Sequence, residues 1–253
     1  MNVLVCVKRV PATGGRITLT DDEQEIDTRF LGFTVSPHEE CAVEEAVRIV
    51  EENGGSSTVM TLGAEDATEQ LRDALAIGVE RAVLLETDGG EWDPIATAEA
   101  IVDAVRADAR ALDLLLFGNE AADTGDYQVG IRVAHSLGLP VVTGIKSLEI
   151  RDGIAVAKRE AEGGREVYEL PLPAVFCIKE GINLPRYPSV PGRLRAKKKE
   201  IERITPDRRG GGLEKVRLKL PKERQGTAEI LGEGAEAAPR VVEILRELGV
   251  VPS

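Results

Sequence analysis

Short β-branched runs alternate with stretches of helical spacing along the first half of the chain, and this alternation limits the folds open to it. Val3–Val7, Thr58–Leu62, Ala82–Leu85, Leu112–Phe117 and Leu139–Val142 read as buried strands. Four helices are predicted between them. The first opens with Ser36 as N-cap, Pro37 at the first helical position and Glu39 three residues after the cap, a capping box. The second covers about Glu65–Ile77 and stops at Gly78; the third opens at Asp93-Pro94 and runs to about Ala109. The fourth runs from Gly125 to Leu137 and stops at Gly138. A β-α-β-α order predicts an α/β fold with a doubly wound, mainly parallel, Rossmann-like sheet. Ligands of such sheets sit beyond the carboxyl ends of the strands.

The order changes after Val142. Ser147–Ile150, Ile154–Arg159 and Val167–Leu170 read as antiparallel strands joined by turns at Arg151-Asp152-Gly153 and Ala161–Gly164, and Ala174–Ile178 is a further strand. Beyond Thr205 come two glycine-rich stretches, Arg208–Gly212 and Leu231–Gly234, a poor basis for a core. A short amphipathic helix then places Val241, Val242, Leu245 and Leu248 on one face, with Gly249 as its stop. We therefore expect an α/β domain over residues 1–204 and a C-terminal arm over 205–253. The apolar face of the last helix must bury itself against this chain or a partner.

Phe117–Leu137, FGNEAADTGDYQVGIRVAHSL, is the stretch richest in chemistry. An apolar run ends in a polar loop that feeds a helix. The first amides of a helix lack internal partners and carry partial positive charge, so this arrangement suits a phosphate. The loop is neither a Walker loop nor GxGxxG. No Ser–His–Asp arrangement, paired carboxylates or pyrophosphatase-type signature accompanies it, which weighs against an adenylating enzyme or nucleotide α-hydrolase. A universal-stress-type nucleotide-binding regulator would share the sheet and the loop, but not the hairpins or the arm.

Charge excludes other classes. The net charge of −12 argues against non-specific nucleic-acid binding, and no apolar stretch is long enough for a membrane-spanning helix. The first residues enter a strand at once, and the three cysteines (Cys6, Cys41, Cys177) are isolated within apolar runs, so we expect a cytoplasmic protein with reduced thiols and no metal centre. Of the two histidines, His135 reads as structural. Against the acidic background, Arg186–Lys199 (RYPSVPGRLRAKKK) holds six basic residues and no acidic one. Pro188 and Pro191 stiffen its first half. It reads either as a solvated charged face or as a docking loop in which charge steers an acidic partner and Val190 inserts.

Several segments resemble, in order and over nearly the whole chain, the β subunit of electron-transfer flavoproteins. VKRV (Val7–Val10) is similar to the family's opening strand, and SPHEECAVEEAVRI (Ser36–Ile49) to its NPxxExAVEEAxRL. LRDALAIGVERAV (Leu71–Val83) resembles its RxALAMGADRA segment, and ADTGDYQVG (Ala122–Gly130) its nucleotide loop. LPAVF and NLPRYPSVPGRLRAKKKEIE (Asn183–Glu202) resemble its LPAVV and NEPRY…KAKKKPI blocks. The resemblance implies the fold of the adenine-nucleotide α-hydrolase type. It implies an electron carrier rather than an enzyme, working as an αβ heterodimer between flavoprotein dehydrogenases and a quinone-linked acceptor. FAD would be held mainly by the α subunit. AMP, or a second FAD in electron-bifurcating members, would sit in the β subunit.

By the same resemblance the nucleotide contacts map to Cys6, to Ser36, Pro37, His38 and Glu39, to Leu62, and to Gly118, Asn119, Glu120, Ala121, Ala122, Asp123, Thr124, Gly125, Asp126, Tyr127, Gln128 and Val129. The docking loop maps to Arg186, Tyr187, Pro188, Ser189, Val190, Pro191, Gly192, Arg193, Leu194 and Arg195, and the arm to a surface of the α subunit. The chain departs from the family pattern at Ser36, commonly Asn, at Val129, commonly Thr in AMP-type members, and at Thr13, where some β subunits carry an aromatic residue near the flavin.

Overall fold

The computed structural model describes residues 1–12, 14, 17–209, 212–221 and 229–251; Thr13 and the glycines at 210 and 211 lie outside the described residues. In chain order the elements are β1 (Asn2–Cys6), β2 (Val10–Pro11), β3 (Phe33–Thr34), α1 (Pro37–Asn53), β4 (Ser56–Gly63), α2 (Thr68–Ile77), β5 (Arg81–Glu86), α3 (Pro94–Ala107), β6 (Leu114–Gly118) and α4 (Val129–Leu137). They continue as β7 (Val141–Arg151), β8 (Ile154–Ala161), β9 (Gly164–Pro171), β10 (Ala174–Ile178), α5 (Val190–Lys198), β11 (Glu202–Ile204) and α6 (Ala238–Glu247). The chain divides into two compact units, Met1–Leu218 and Lys219–Ser253.

The first unit is built on a nine-stranded sheet in the order β11-β5-β4-β1-β6-β10-β7-β8-β9. The seven strands from β11 to β7 are parallel; β8 and β9 continue the sheet antiparallel from β7. Strand side chains alternate between faces, so each central strand feeds two cores. Val3, Val5, Leu114, Leu116, Ala174 and Phe176 pack beneath α1 and α2, whereas Leu4, Cys6, Leu115, Phe117, Val175 and Cys177 pack beneath α3 and α4. That double burial is why these strands read as unbroken apolar runs. The α/β class, the doubly wound parallel sheet and the antiparallel extension are as expected.

Three local expectations need correction. Leu139–Val142 and Ser147–Ile150 are not separate strands; Val141–Val142 and Ser147–Ile150 belong to the single eleven-residue β7, and Leu139 and Pro140 precede it. Its first half pairs parallel with β10 and its second half antiparallel with β8. Gly144 makes this possible: at φ +68° it sits where three steps along β7 match two along β10. The fourth helix begins at Val129, not Gly125, because Gly125 (φ 58°) and Tyr127 (φ 54°) both hold the left-handed conformation, which a right-handed helix cannot include. The second half of the basic segment is not an extended loop. Ser189 caps α5 by accepting Gly192 N–H at 3.1 Å, and the helix runs to Lys198, with Arg195, Lys197 and Lys198 in its last turn.

The first unit also extends beyond Thr205. Asp93 Oδ2 accepts the amides of Gly212 (2.6 Å) and Leu213 (2.9 Å), while Leu218 donates to Glu23 O (2.8 Å). In the second unit α6 follows a short 3-10 turn, with Arg240 paired to Glu243 at 3.1 Å and Glu247 at 3.7 Å.

Candidate functional site

The strand order fixes where a ligand can enter. From β1 the chain adds β4 and β5 on one side, then returns to add β6 on the other. Loops leaving β1 and β6 therefore diverge toward opposite faces, α1 packing on one and α4 on the other, and a crevice opens between them. Cys6 is paired in register with Phe117 on one side and Met60 on the other, which puts Lys8 and Gly118–Asn119 at this opening. The sequence-predicted residues Cys6, Ser36–Glu39 and the start of the 118–129 stretch come together here. Leu62 lies one strand away, on β4, opposite Leu85.

The entry to α1 is closed upon itself. Ser36 Oγ accepts Glu39 N–H (3.2 Å), and Glu39 Oε2 accepts Ser36 N–H (2.9 Å), completing the capping box. The other oxygen, Glu39 Oε1, accepts Lys8 N–H at 2.9 Å. Glu39 is buried, and that burial pushes its carboxyl up to about 7, against the lowering effect of the two amides. Gly118 is placed so that a Cβ there would stand 2.6 Å from Glu39 Cγ, so only glycine lets β6 end this close to the helix.

The loop after β6 is tied to the same helix end. Ser36 Oγ lies 3.4 Å from Glu120 O, and His38 Nε2 lies 3.2 Å from Glu120 Oε1. Lys8 Nζ pairs with Asp123 at 2.7 Å, which neutralises one of the loop's two aspartates. Thr124 N–H turns back to Asp123 Oδ1 at 2.8 Å. Gln128 occupies the N-cap of α4 but gives it no side-chain cap; its Oε1 accepts from Arg132 Nη2 at 2.8 Å instead. The first-turn amides of α4 therefore have no side-chain acceptor from the N-cap, unlike those of α1. This donor set fits a phosphate.

A cleft of about 360 Å³ adjoins the loop, lined by Asn119, Tyr127, Ile131, Thr143, Gly144, Arg159, Glu160, Ala161, Glu166 and Lys179. Only Asn119 and Tyr127 of these were singled out from the sequence. Ile131 comes from the first turn of α4, and the others come from β7–β9 and the end of β10, brought alongside by strand insertion, where their sequence signal is no stronger than a hairpin pattern.

The docking candidates are placed elsewhere, over α1 and α2. Arg186 forks between Glu44 (2.9 Å) and Glu51 (2.7 Å), two carboxylates of α1. Asn183 Nδ2 donates to Cys41 O (3.0 Å) and Glu45 Oε2 (2.8 Å). Gly192 is pressed so closely onto Ala76 O that any Cβ would collide with it. Arg72 donates to the carbonyls of Ala196 and Lys199 at the end of α5. With its inner face held by Gly192 and Ala196, this segment turns outward Leu184 (91% exposed), Tyr187 (96%), Val190 (73%) and Leu194.

Burial disfavours the reactive thiolate form of the cysteines. All three are buried, burial raises the Cys6 and Cys41 thiols, and it pushes Cys177 up to about 12. Among the described residues no group of three or more His, Cys, Asp or Glu is arranged to hold a metal, and no helix is long and apolar enough to cross a membrane.

Comparison with known proteins bears on this geometry. The family described as "Electron transfer flavoprotein domain" matches residues 26–208. The Bacillus subtilis electron transfer flavoprotein subunit beta is 35% identical over 255 residues, covering 97% of this chain and 98% of that protein. The Syntrophomonas wolfei subunit beta is 34% identical, covering 97% and 96%. CarD, a subunit of the caffeyl-CoA reductase-Etf complex of Acetobacterium woodii, is 35% identical over 204 residues, covering 79% and 77%. The segments Ser36–Glu39 and 118–129 and the segment laid along α1 fall within residues 26–208, and identity of this extent means that the chain belongs to the electron transfer flavoprotein β-subunit family.

Proposed function

We propose that this chain is the β half of an αβ electron-transfer flavoprotein that receives electrons from flavoprotein dehydrogenases and delivers them to a quinone-linked acceptor in the cytoplasm. In this reading it is a carrier subunit, and it holds an adenine nucleotide between α1 and α4. The observation that supports this best is the contrast between the two helix ends at the crevice: α1 satisfies its own amides by a capping box, and Gln128 leaves those of α4 without a side-chain cap. A nucleotide phosphate would accept from the amides that open α4, with Gly118 and Asn119 beside it. Cys6, Leu62 and the segment Ser36–Glu39 would bound the nucleoside. Pairing with Lys8 would offset the Asp123 charge beside the phosphate.

When bound, FAD supplies the electron-transfer chemistry, and the protein binds and orients it. Our first reading is AMP in this subunit, with the redox FAD held mainly by the α subunit. The cleft beside Asn119 and Tyr127 favours a second reading, in which a second FAD extends past the loop. The segment from Arg186 to Arg195 would meet dehydrogenases through Val190, Tyr187 and Leu194, with the basic end of α5 steering them. The arm over 205–253 would cover a surface of the α subunit with the apolar face of α6.

Co-expression with an α subunit tests the reading. A yellow 1:1 complex is expected, and acid extraction should release one FAD and one AMP per complex. Release of two FAD would select the second reading. A colourless complex without adenine nucleotide, or a chain that binds no α subunit, would overturn both.

A further inference from the structure

We propose that His38 is a positioning residue that joins the nucleotide loop to the docking segment, so that nucleotide in the crevice holds the 180–186 segment in place along α1. The proposal rests on the nucleotide reading above.

The imidazole is largely buried and bonded at both nitrogens. Nδ1 accepts Glu180 N–H at 2.8 Å, and Nε2 lies 3.2 Å from Glu120 Oε1. An acceptor at Nδ1 places the ring proton on Nε2, where it donates to the Glu120 carboxylate. Glu120 belongs to the loop leading to α4, and Glu180 heads the segment that becomes the docking element. His38 therefore bridges two loops that leave different strands, β6 and β10.

Beyond Glu180 the segment follows α1 rung by rung. Asn183 bonds Cys41 and Glu45, and Arg186 bonds Glu44 and Glu51. His38 is the first rung, and within this ladder it is the one that also holds the nucleotide loop. A phosphate seated at the amides of α4 repels the like-charged Glu120 carboxylate, favouring the position in which Glu120 meets His38. Stronger donation from Nε2 makes Nδ1 a better acceptor for Glu180 N–H, because bonds in a chain polarise one another. Nucleotide and docking segment are thereby coupled, and the coupling is reciprocal.

Amide hydrogen exchange on the full chain with its co-purified partner subunit, depleted of nucleotide and then saturated with AMP, tests this. AMP should slow exchange across 118–131 and also across 180–186, the latter by about fivefold or more, as for ordinary coupled sites. His38→Phe, which keeps the ring but neither bond, and Glu120→Ala, which cuts only the loop side, should each abolish the slowing at 180–186. Each should weaken AMP binding by the same factor as the lost protection. His38→Gln, which retains a donor and an acceptor, should restore part of it. Slowing at 180–186 that persists in either disrupting variant overturns the proposal, as does slowing at 118–131 alone in the unmodified chain. Absence of any slowing at 118–131 overturns the nucleotide reading itself, and the coupling with it.

Discussion

Glu39 Oε1 accepts the backbone N–H of Lys8 across 2.9 Å, fastening the end of β1 to the first turn of α1 through a carboxylate that is also half of a capping box. Two segments thirty-one residues apart thus share one buried acid. Its carboxyl is raised from an ordinary 4.5 to about 7, so the folded chain binds a proton there that the unfolded chain has released. Stability should therefore fall as pH rises from about 4.5 to about 7, by roughly 3 kcal/mol for this one group, and then level off. Glu39→Gln should flatten that slope. It should also lower stability at pH 5 by about 1–3 kcal/mol, because an amide nitrogen then faces one of the two backbone donors. Denaturant melts of both proteins between pH 4.5 and 8 check this; an unchanged slope in the variant would assign it to another group.

Gly118→Ala should disturb the same junction from the β6 side. The added methyl would stand 2.6 Å from Glu39 Cγ and 3.2 Å from Glu39 N. Glu39 Cγ is not a free side-chain tip, because its carboxylate is pinned by the amides of Lys8 and Ser36, so a loss of about 1–3 kcal/mol is expected. Nucleotide content should fall with it, since the capping box and Glu120 both lean on that helix end. Melting temperature and acid-released nucleotide should drop together. Retention of both would mean that the strand end and the helix separate freely.

Arg186→Ala should leave the buried Glu44 carboxylate without its fork. The guanidinium is held by side-chain bonds to Glu51 and Glu44, and that bonding raises its pKa. Removing one partner of a buried charged bond costs about 1–3 kcal/mol, more than an exposed pair would. In a double-mutant cycle with Glu44→Gln, the second change should restore part of the loss, because it removes the stranded charge. Strict additivity in that cycle would show that the two side chains do not communicate.

Val190→Ala and Gly192→Ala separate docking from folding. Val190 is 73% exposed, so truncating it should change stability by less than about 0.5 kcal/mol. It should still slow electron transfer from a dehydrogenase without changing nucleotide content. Gly192→Ala drives a methyl into the Ala76 carbonyl, lifts α5 from α2, and should impair both stability and transfer. Equal losses of nucleotide and transfer in Val190→Ala would place that side chain in the core.

Local pattern alone carried the central apolar strands, three of the four intervening helices and the α1 capping box, because apolar period, N-cap chemistry and proline position are properties of a few adjacent residues; the short β2 and β3 and the edge strand β11 carried no such signal. The same holds for the two hairpin turns: Asp152 (φ 49°) with Gly153 (φ 78°), and Gly163 (φ 80°), are where the sequence placed them. What it could not carry depends on residues far apart. The insertion of β10 between β6 and β7, which builds the cleft wall, follows from pairing across the sheet. The late start of α4 follows from left-handed backbone at Gly125 and Tyr127, a conformation that Tyr does not advertise. The basic run looked like an open loop because its inner contacts are a glycine and an alanine, residues with no periodic apolar signal, set against a neighbouring helix. The sequence determined which chemistry lies near the crevice. Only the tertiary structure decided which amides remain open there and which histidine joins the two loops, because hydrogen bonds between strand ends exist only after the sheet has brought them together.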